Sequence, residues 1–438
     1  MTKHTILIGQ TAIPSGLISL VKLLPITSTL KAGDEIVFSF GRDFVYLSTL
    51  TLLASWRKSL IPGISVIVDD HNSLPATQNM ITNSGFREII DTGHETPSVQ
   101  RRIGKLPLRP LTNRLNKDSV VQDITSILSD NTALIGDIKP LTTILSEICE
   151  NALTHSGFAS PGYVCATLTE YEQKRRFEIV ICDSGMGFRG SYLNGTNDEV
   201  KARIARGASP IEIAIEGLNS SKPIATPSSV VSYFGFGLYI TRRLVEENRG
   251  QLFILSHKDG MMLNNRARNS VDVPTDFPGT LVVIILDLDN PLPLEEIYEE
   301  AVKDYTEPPL KSDKPVLKTA NQSPASPIDK NLDESKQDVK QDVKQGAIVE
   351  LRHFGTELLT REAGLAIRAE LATLALVSGS VIVDLDGISD ITPSVADEAF
   401  GKLAEKMGLE TFERTITFRG GSSLAMRLIE FVLKTRLK

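Results

Sequence analysis

LTTILSEICENALTHS, residues 141–156, is the stretch that decides the fold of the central part of this chain. Its apolar residues recur at helical spacing, so it predicts a helix with one buried stripe. Pro140 precedes it, at a position where the first helical turn tolerates proline. Glu147 and Asn151 are four residues apart and therefore share one face. A carboxylate beside an amide suits water activation and a hydrated Mg²⁺, although the pair alone is far more typical of a solvated helix face.

Two glycine-rich turns follow this helix. DSGMG, residues 183–187, ends an apolar run that reads as a buried strand, and GFGL, residues 235–238, opens a helix. Such turns present backbone N–H groups to a polyphosphate, and a helix N-terminus favours an anion. Pro278-Gly279-Thr280 then precedes the apolar strand LVVIILDL. One Gly-x-Gly is weak evidence, because turns use glycine for positive φ in any case, but four motifs in a fixed order are specific.

The order of these motifs resembles the GHKL superfamily, which includes gyrase-type ATPases, histidine kinases and anti-sigma serine kinases. The resemblance covers about residues 118–288 and implies a Bergerat α/β sandwich that binds ATP with Mg²⁺. It also implies that Glu147 is the catalytic general base and that Asn151 holds the metal. The adenine amino group would bind Asp183, for which the plain alternative is a turn former. The other nucleotide-binding positions implied are Gly185, Gly187, Gly235, Gly237, Leu238 and Thr280.

A long segment between the two glycine-rich turns occupies the place of the superfamily's ATP lid. Residues 198–206 and 210–216 have helical patterns, and a Ser/Pro-rich run follows them. The segment contains candidate phosphate partners, although ordinary solvated charges are the favoured interpretation. These candidates are Lys201, Arg203, Arg206 and Lys222.

The chain before the central domain divides into two parts. Residues 1–100 alternate strand and helix signals, which predicts a βαβαβ domain with a mostly parallel sheet. Its pattern faintly resembles the STAS-like domains of anti-sigma antagonists. Residues 101–117 are basic and contain prolines, and they predict an interdomain connector. A nucleic-acid site is disfavoured there because the segment has no aromatic residue for base stacking.

The chain after the central domain, which we place at residues 118–305, also divides into two parts. Residues 306–345 lack aromatic residues and predict a flexible linker. Residues 346–438 resemble STAS-like domains through VIVDLDGISDITPS, which implies a third α/β domain. In STAS antagonists a serine at this point accepts phosphate, which makes Ser394 a possible phosphoacceptor. We favour a helix N-cap for Ser394, because Asp397 and Glu398 would repel a phosphate there.

Composition narrows the class of protein. The 438 residues carry a formal net charge of −7, which gives no pull toward nucleic acid or an anionic membrane. Cys149, Cys165 and Cys182 lie in apolar runs without metal-ligand spacing, so we expect buried thiols in a reducing cytoplasm. No apolar run reaches the roughly 18 residues that span a bilayer, and the first residues lack signal-peptide features. We therefore expect a cytoplasmic protein.

Three functions remain open. The first is an ATP-binding GHKL protein, either an Mg²⁺-dependent ATPase or a nucleotide-gated switch that regulates contacts of STAS-like domains. The second is a serine/threonine kinase of the anti-sigma type that acts on Ser394 or on a STAS-like or sigma-regulatory partner. The third is a non-enzymatic nucleotide-binding scaffold in a bacterial stress or defence system, which the retention of Glu147 disfavours. A homodimer is compatible with each.

Overall fold

The computed structural model describes residues 2–9, 13–24, 29–92, 99, 104–131, 138–155, 162–171, 174–216, 236–265, 267–290, 292–294, 296–297, 300, 347–358, 361–388 and 390–436. Gly235, Lys222 and the linker 306–345 lie outside these residues.

Residues 3–92 form an α/β domain whose three strands are all parallel, in the order β1-β2-β3. Its elements are β1 (Lys3–Ile8), α1 (Ser15–Val21), β2 (Glu35–Phe40), α2 (Leu47–Arg57), β3 (Ser65–Asp69), α3 (Pro75–Asn83) and α4 (Phe86–Thr92). The strand and helix alternation predicted up to β3 agrees with this order. The last two helices were not predicted. Trp56 of α2 packs against Phe38 of β2, with ring centroids 5.9 Å apart.

The central domain is built on a five-stranded antiparallel sheet in the order β4-β5-β6-β8-β7. The strands are β4 (Lys105–Leu111), β5 (Gly162–Tyr171), β6 (Lys174–Asp183), β7 (Gln251–Asn264) and β8 (Arg268–Asp287). Alternate residues of β6 face opposite sides of this sheet. Phe177, Ile179 and Ile181 belong to one hydrophobic core, and Val180 and Cys182 belong to the other.

The basic segment 101–117 requires a correction. Residues 105–111, predicted to lie in a connector, form the edge strand β4 of the central sheet. Its two prolines are tolerated because an edge strand needs fewer N–H donors than an inner one. Lys117 belongs to a helix rather than to a solvated linker. Its ammonium group is buried, where it donates to Ser146 Oγ and lies 3.3 Å from Glu150 Oε2.

In the described part of the chain, three helices cover one face of the sheet, and a helical insertion precedes the third of them in the sequence. The covering helices are α5 (Arg114–Asn131), α6 (Lys139–His155) and α10 (Phe236–Asn248). The insertion between β6 and α10 contains α7 (Gly187–Asn194), α8 (Asp198–Ala205) and α9 (Pro210–Ile215). The last two match the helical pieces predicted in the lid segment, whereas α7 was not predicted.

The other face of the sheet is covered by the N-terminal domain. Helix α2 lies on β5 and β6, and all its residues except the last are buried. The shared core combines Leu50 and Leu53 of α2 with Val180 of β6 and Phe253 of β7. The central sheet is therefore sandwiched between its own helices and the N-terminal domain.

Residues 347–436 form a second α/β unit with a parallel sheet in the order β13-β11-β9 and a short parallel pair β10-β12. The strands are β9 (Ala347–Glu350), β10 (Glu357–Leu358), β11 (Val381–Asp384), β12 (Asp390–Ile391) and β13 (Ile416–Arg419). The helices are α11 (Arg361–Ser378), α12 (Pro393–Ala396), α13 (Lys402–Met407), α14 (Leu409–Thr415) and α15 (Ser423–Arg436), with a π-helical turn at Asp397–Gly401.

The start of α12 corrects the role expected of Ser394. The N–H of Val395 donates to Thr392 Oγ1 at 3.2 Å, so Thr392 caps the helix and Ser394 lies within its first turn. Asp397 is buried in an ion pair with Arg436, and Glu398 pairs with Arg368 and Lys402. Both carboxylates are thus neutralised, and the repulsion expected to act on a phosphate at Ser394 is smaller than the sequence suggested.

Two further features concern reactivity and membranes. Cys149, Cys165 and Cys182 are free and buried, and burial raises the pKa of the Cys149 thiol to about 12. These thiols are therefore unreactive hydrophobic groups, as predicted. Among the helices that the structure describes, none has both the length and the apolarity to span a bilayer.

Candidate functional site

Helix α6 places Glu147 and Asn151 one turn apart, and both side chains are half-buried. Leu141, Leu145 and Ile148 of the same helix lie in the core, so the orientation of the two polar residues is set by packing. Helix α6 contacts β6 and α10. Glu147 and Asn151, the predicted pair, therefore face the boundary between α6 and α10.

Gly237 brings α10 against Glu147. A Cβ atom added to Gly237 would lie 2.8 Å from the Glu147 Cβ, closer than real side chains come. Gly237 lies in the first turn of α10, where backbone N–H groups have no helical partner. The structure thus joins two predicted site residues that are 90 positions apart in the sequence, and it places a helix N-terminus beside a carboxylate. Leu238 is buried in the core next to them.

Asp183 ends β6 and is only 6% exposed. Its Oδ1 accepts the N–H of Gly185 at 2.8 Å, which fixes the carboxylate over the turn that follows the strand. Thr280 of β8 is its register partner, so these two predicted residues are adjacent across the sheet. Burial raises the pKa of Asp183 to about 7. The N–H groups of Gly185 and Thr280 and the nearby His257 act in the opposite direction and lower this pKa.

Glycines allow the backbones around Asp183 to approach each other. Gly279 has φ +105°, and a Cβ there would lie 1.9 Å from the Asp183 carbonyl oxygen. Gly187 has φ +60°, and a Cβ there would lie 2.4 Å from His257 Cδ2. Any side chain at either position would push the Asp183 turn away from the sheet. Gly187 was a predicted site residue, and Gly279 belongs to the motif quoted before the last strand.

Ser256 and His257 of β7 also hold this turn, and no sequence motif indicates them. The Ser256 hydroxyl donates to the Gly279 carbonyl at 3.2 Å and accepts the N–H of Phe188 at 3.0 Å. The His257 ring lies between Met186 O at 2.9 Å and Asp276 Oδ1 at 2.7 Å. Both residues occur in a strand without a motif, so only the folded sheet shows what they contact.

Two of the four lid cations, Lys201 and Arg203, have carboxylate partners. Lys201 lies 3.7 Å from Asp198, and Arg203 pairs with Glu216 at 2.5 Å. Arg206 is exposed, and Lys222 lies outside the described residues. These observations agree with the interpretation of the cations as ordinary surface charges. The same limit applies to Gly235, of which the structure describes nothing.

The described residues contain no cluster of three or more His, Cys, Asp or Glu side chains arranged to hold a metal ion. The Asn151 amide is compatible with Mg²⁺, which keeps several waters and takes further oxygens from a nucleotide's phosphates.

Two family models match the chain. Residues 136–290 match the Histidine kinase-, DNA gyrase B-, and HSP90-like ATPase family, and residues 364–424 match a STAS-like domain of unknown function. Both resemblances predicted from the sequence are thereby confirmed, and the first of them implies ATP binding. Neither match includes residues 1–100, so the STAS-like character of that domain stays a prediction. No curated protein matches the chain significantly.

Proposed function

We propose that the chain binds ATP between α6, α10 and the carboxyl end of β6, and that it hydrolyses ATP to ADP and phosphate. The observation that carries the proposal is the close approach of Gly237 to Glu147. It places the N-terminus of α10, which attracts phosphate groups, beside a carboxylate that can accept a proton. A scaffold without chemistry would need the phosphate site but not the carboxylate.

Asp183 recognises the adenine end of the nucleotide in this proposal. Its carboxyl oxygen accepts a hydrogen bond from the exocyclic amino group, and Thr280 lies beside it on the neighbouring strand. Gly187 and Gly279 let the backbone around Asp183 pack closely, and the N–H of Gly185 holds the carboxylate in place. Guanine has an oxygen where adenine has this amino group, so a buried acceptor discriminates against it.

Glu147 is the general base. It takes a proton from water while the water oxygen forms a bond to the γ-phosphorus, and the bond between that phosphorus and the β–γ bridging oxygen breaks. Asn151 would hold Mg²⁺, which supplies charge neutralisation to the phosphates when bound. Gly237 and Leu238 keep the first turn of α10 in place beside the phosphates.

ATP occupancy regulates contacts made by STAS-like modules in this proposal. The support is the presence of a GHKL ATPase-family domain and a STAS-like domain in one chain. The segment 306–345 between them has a composition that cannot bury a core, so it acts as a tether that raises their effective concentration. A separate protein partner would compete with the tethered domain.

Phosphate release by the full chain tests the catalytic proposal. We expect steady release from ATP with millimolar Mg²⁺, at least about tenfold slower release from GTP, and loss of release when the metal is chelated. Equal rates with ATP and GTP would contradict the role of Asp183. Absence of release together with tight ATP binding would leave a nucleotide-gated switch without turnover.

A second candidate is phosphoryl transfer to Ser394. It is favoured by the position of this residue in the first turn of α12, where Asp397 and Glu398 are already paired with buried or half-buried cations. The serine oxygen would attack the γ-phosphorus, its proton would pass to Glu147, and ADP would leave. Intact-mass measurement after incubation with Mg·ATP decides the matter. We expect one added phosphate that Ser394→Ala abolishes, and an unchanged mass rejects this candidate.

A further inference from the structure

Helix α2 of the N-terminal domain carries a polar stripe that faces the central sheet rather than solvent. Ser48, Thr51 and Ser55 recur at helical spacing and are all fully buried. Ser48 lies next to the carboxyl group of Glu178, in the middle of β6. The Thr51 hydroxyl lies 2.9 Å from Cys165 Sγ on β5. The stripe therefore follows β5 and β6 toward the end of β6.

Ser55, the last member of the stripe, is bonded to both neighbours of Asp183. The Ser55 hydroxyl donates to the Cys182 carbonyl at 2.9 Å. The Ser184 hydroxyl donates to the Ser55 carbonyl at 2.5 Å. One residue of the N-terminal domain thus fixes the backbone before Asp183 and the side chain after it.

These two bonds act from the side of the sheet opposite to helix α6. Cys182 belongs to the core shared with the N-terminal domain, whereas Ile181 belongs to the core beneath α6. From its own domain, Asp183 is constrained by Gly279, whose backbone lies against the Asp183 carbonyl. The end of β6 is consequently held between β8 and α2.

The far end of α2 is anchored as well. Glu178 is buried beside the first turn of α2, where a carboxylate interacts favourably with the helix N-terminus. The distance between Ser48 and Ser55 is seven residues, or about 10 Å along a helix. A movement of α2 along its axis would therefore change the contacts at both ends together.

We propose that Ser55 is a positioning residue for Asp183 and that the N-terminal domain, through α2, sets the selectivity of the pocket for the adenine amino group. This inference rests on the proposed function, because it assumes that Asp183 binds that amino group. Ser55 does not touch the nucleotide and acts through the backbone of Cys182 and the side chain of Ser184.

A pair of nucleotides separates positioning from general stability. ATP carries the amino group at purine C6, and purine riboside triphosphate lacks it but is otherwise the same. We would measure the affinity of the full chain for both by calorimetry with Mg²⁺ and compare Ser55→Ala with the wild type. A hydrogen bond is worth about 1 kcal/mol, so we expect ATP binding to weaken about fivefold. Binding of purine riboside triphosphate should change by less than about twofold, because this ligand has no amino group that can donate a hydrogen bond to Asp183.

Two further variants complete the design. Ser184→Ala removes the second bond at a half-buried position, so it tests the same inference if Ser55→Ala fails to fold. Ser59→Ala is the control, because the Ser59 hydroxyl donates to the Trp56 carbonyl within its own domain. We expect Ser184→Ala to repeat the selective loss and Ser59→Ala to leave both affinities unchanged.

The outcomes distinguish the inference from the proposed function. Equal weakening of both nucleotides, or no weakening of ATP, in Ser55→Ala and Ser184→Ala overturns the positioning role. If the wild type already binds the two nucleotides equally, Asp183 does not recognise the amino group, and both the proposed adenine contact and this inference fail. Selective loss of ATP affinity supports both.

Discussion

Gly237 and Glu147 lie so close that the Cβ of Glu147 occupies the space a side chain at position 237 would need. Helices α6 and α10 are therefore in close contact at these two residues. The fit aligns the start of α10 with the face of α6 that carries Glu147 and Asn151. The consequences of this contact can be measured.

Gly237→Ala should impair the site without unfolding the protein. The new methyl group would lie 2.8 Å from a Cβ atom, which cannot move aside as a flexible chain end can, so α10 must shift. A misplacement of several tenths of an ångström beside the phosphates should lower phosphate release by at least about tenfold. Gly41→Ala is the control, because its nearest atom lies 3.9 Å away. A variant at position 237 with wild-type turnover would contradict the importance of the contact.

Glu147→Ala should separate binding from chemistry. Removal of a general base typically costs about 100-fold or more in rate, whereas the phosphates and adenine keep their contacts. We expect ATP affinity within about threefold of the wild type, by calorimetry, and little phosphate release. Glu370→Ala, at an exposed position of α11, is the matched carboxylate control. Turnover that survives in the Glu147 variant would exclude this residue as the base.

Glu178 should make stability depend on pH. Burial raises its pKa from 4.5 to about 7, so between these values the folded state keeps a proton that the unfolded state has lost. Stability therefore falls as pH rises from about 4.5 to about 7 and changes little above that. Glu178→Gln removes this pH-dependent loss in the free energy of unfolding. The loss amounts to at most about 3 kcal/mol, at 1.36 kcal/mol per pKa unit.

The measurement for Glu178 is thermal unfolding at pH 5 and pH 8. We expect the Gln variant to gain several degrees in Tm over the wild type at pH 8, and less at pH 5. Glu170→Gln, on an exposed part of β5, should show no such pH-dependent difference. A gain of equal size at both pH values would mean that Glu178 does not titrate in this range.

Arg436→Met should destabilise the STAS-like domain. The guanidinium donates to both carboxylate oxygens of Asp397, at 2.8 and 3.0 Å, and to Glu405 at 2.8 Å. Its loss removes the cation that faces the buried Asp397 carboxylate, which typically costs about 3–5 kcal/mol. Amide hydrogen exchange of residues 393–407 in the full chain should accelerate accordingly. Arg419→Met breaks a pair in which the arginine side chain is 49% exposed and should have a much smaller effect. Similar amide exchange rates in the two variants would contradict the predicted difference between the buried and the exposed ion pair.

The sequence predicted those parts of the site that are carried by motifs. Glu147 and Asn151 share a helical face by spacing alone, and the turn after Asp183 needs glycines that are visible in the sequence. Ser256 and His257 could not be predicted, because they act on this turn from a strand whose pairing depends on the whole sheet.

The interdomain contacts were hidden for a different reason. Polar residues on a helix are usually solvated, so Ser48, Thr51 and Ser55 gave no indication that α2 turns them toward a sheet. Residues 105–111 resembled a connector because they contain prolines and basic residues, and an edge strand accepts both. In each case the structure of the segment depends on a neighbouring domain or strand, and the local sequence pattern carries no information about that neighbour.

The most direct test of this account is calorimetric titration of the full chain with a non-hydrolysable ATP analogue and millimolar Mg²⁺. We predict one site per chain and an affinity at least about tenfold weaker in Asp183→Ala, since a hydrogen bond to a charged group is worth about 1.5–3 kcal/mol. Absence of heat from a folded wild-type protein, or an unchanged affinity in Asp183→Ala, would contradict the central claim that this pocket binds adenine nucleotides.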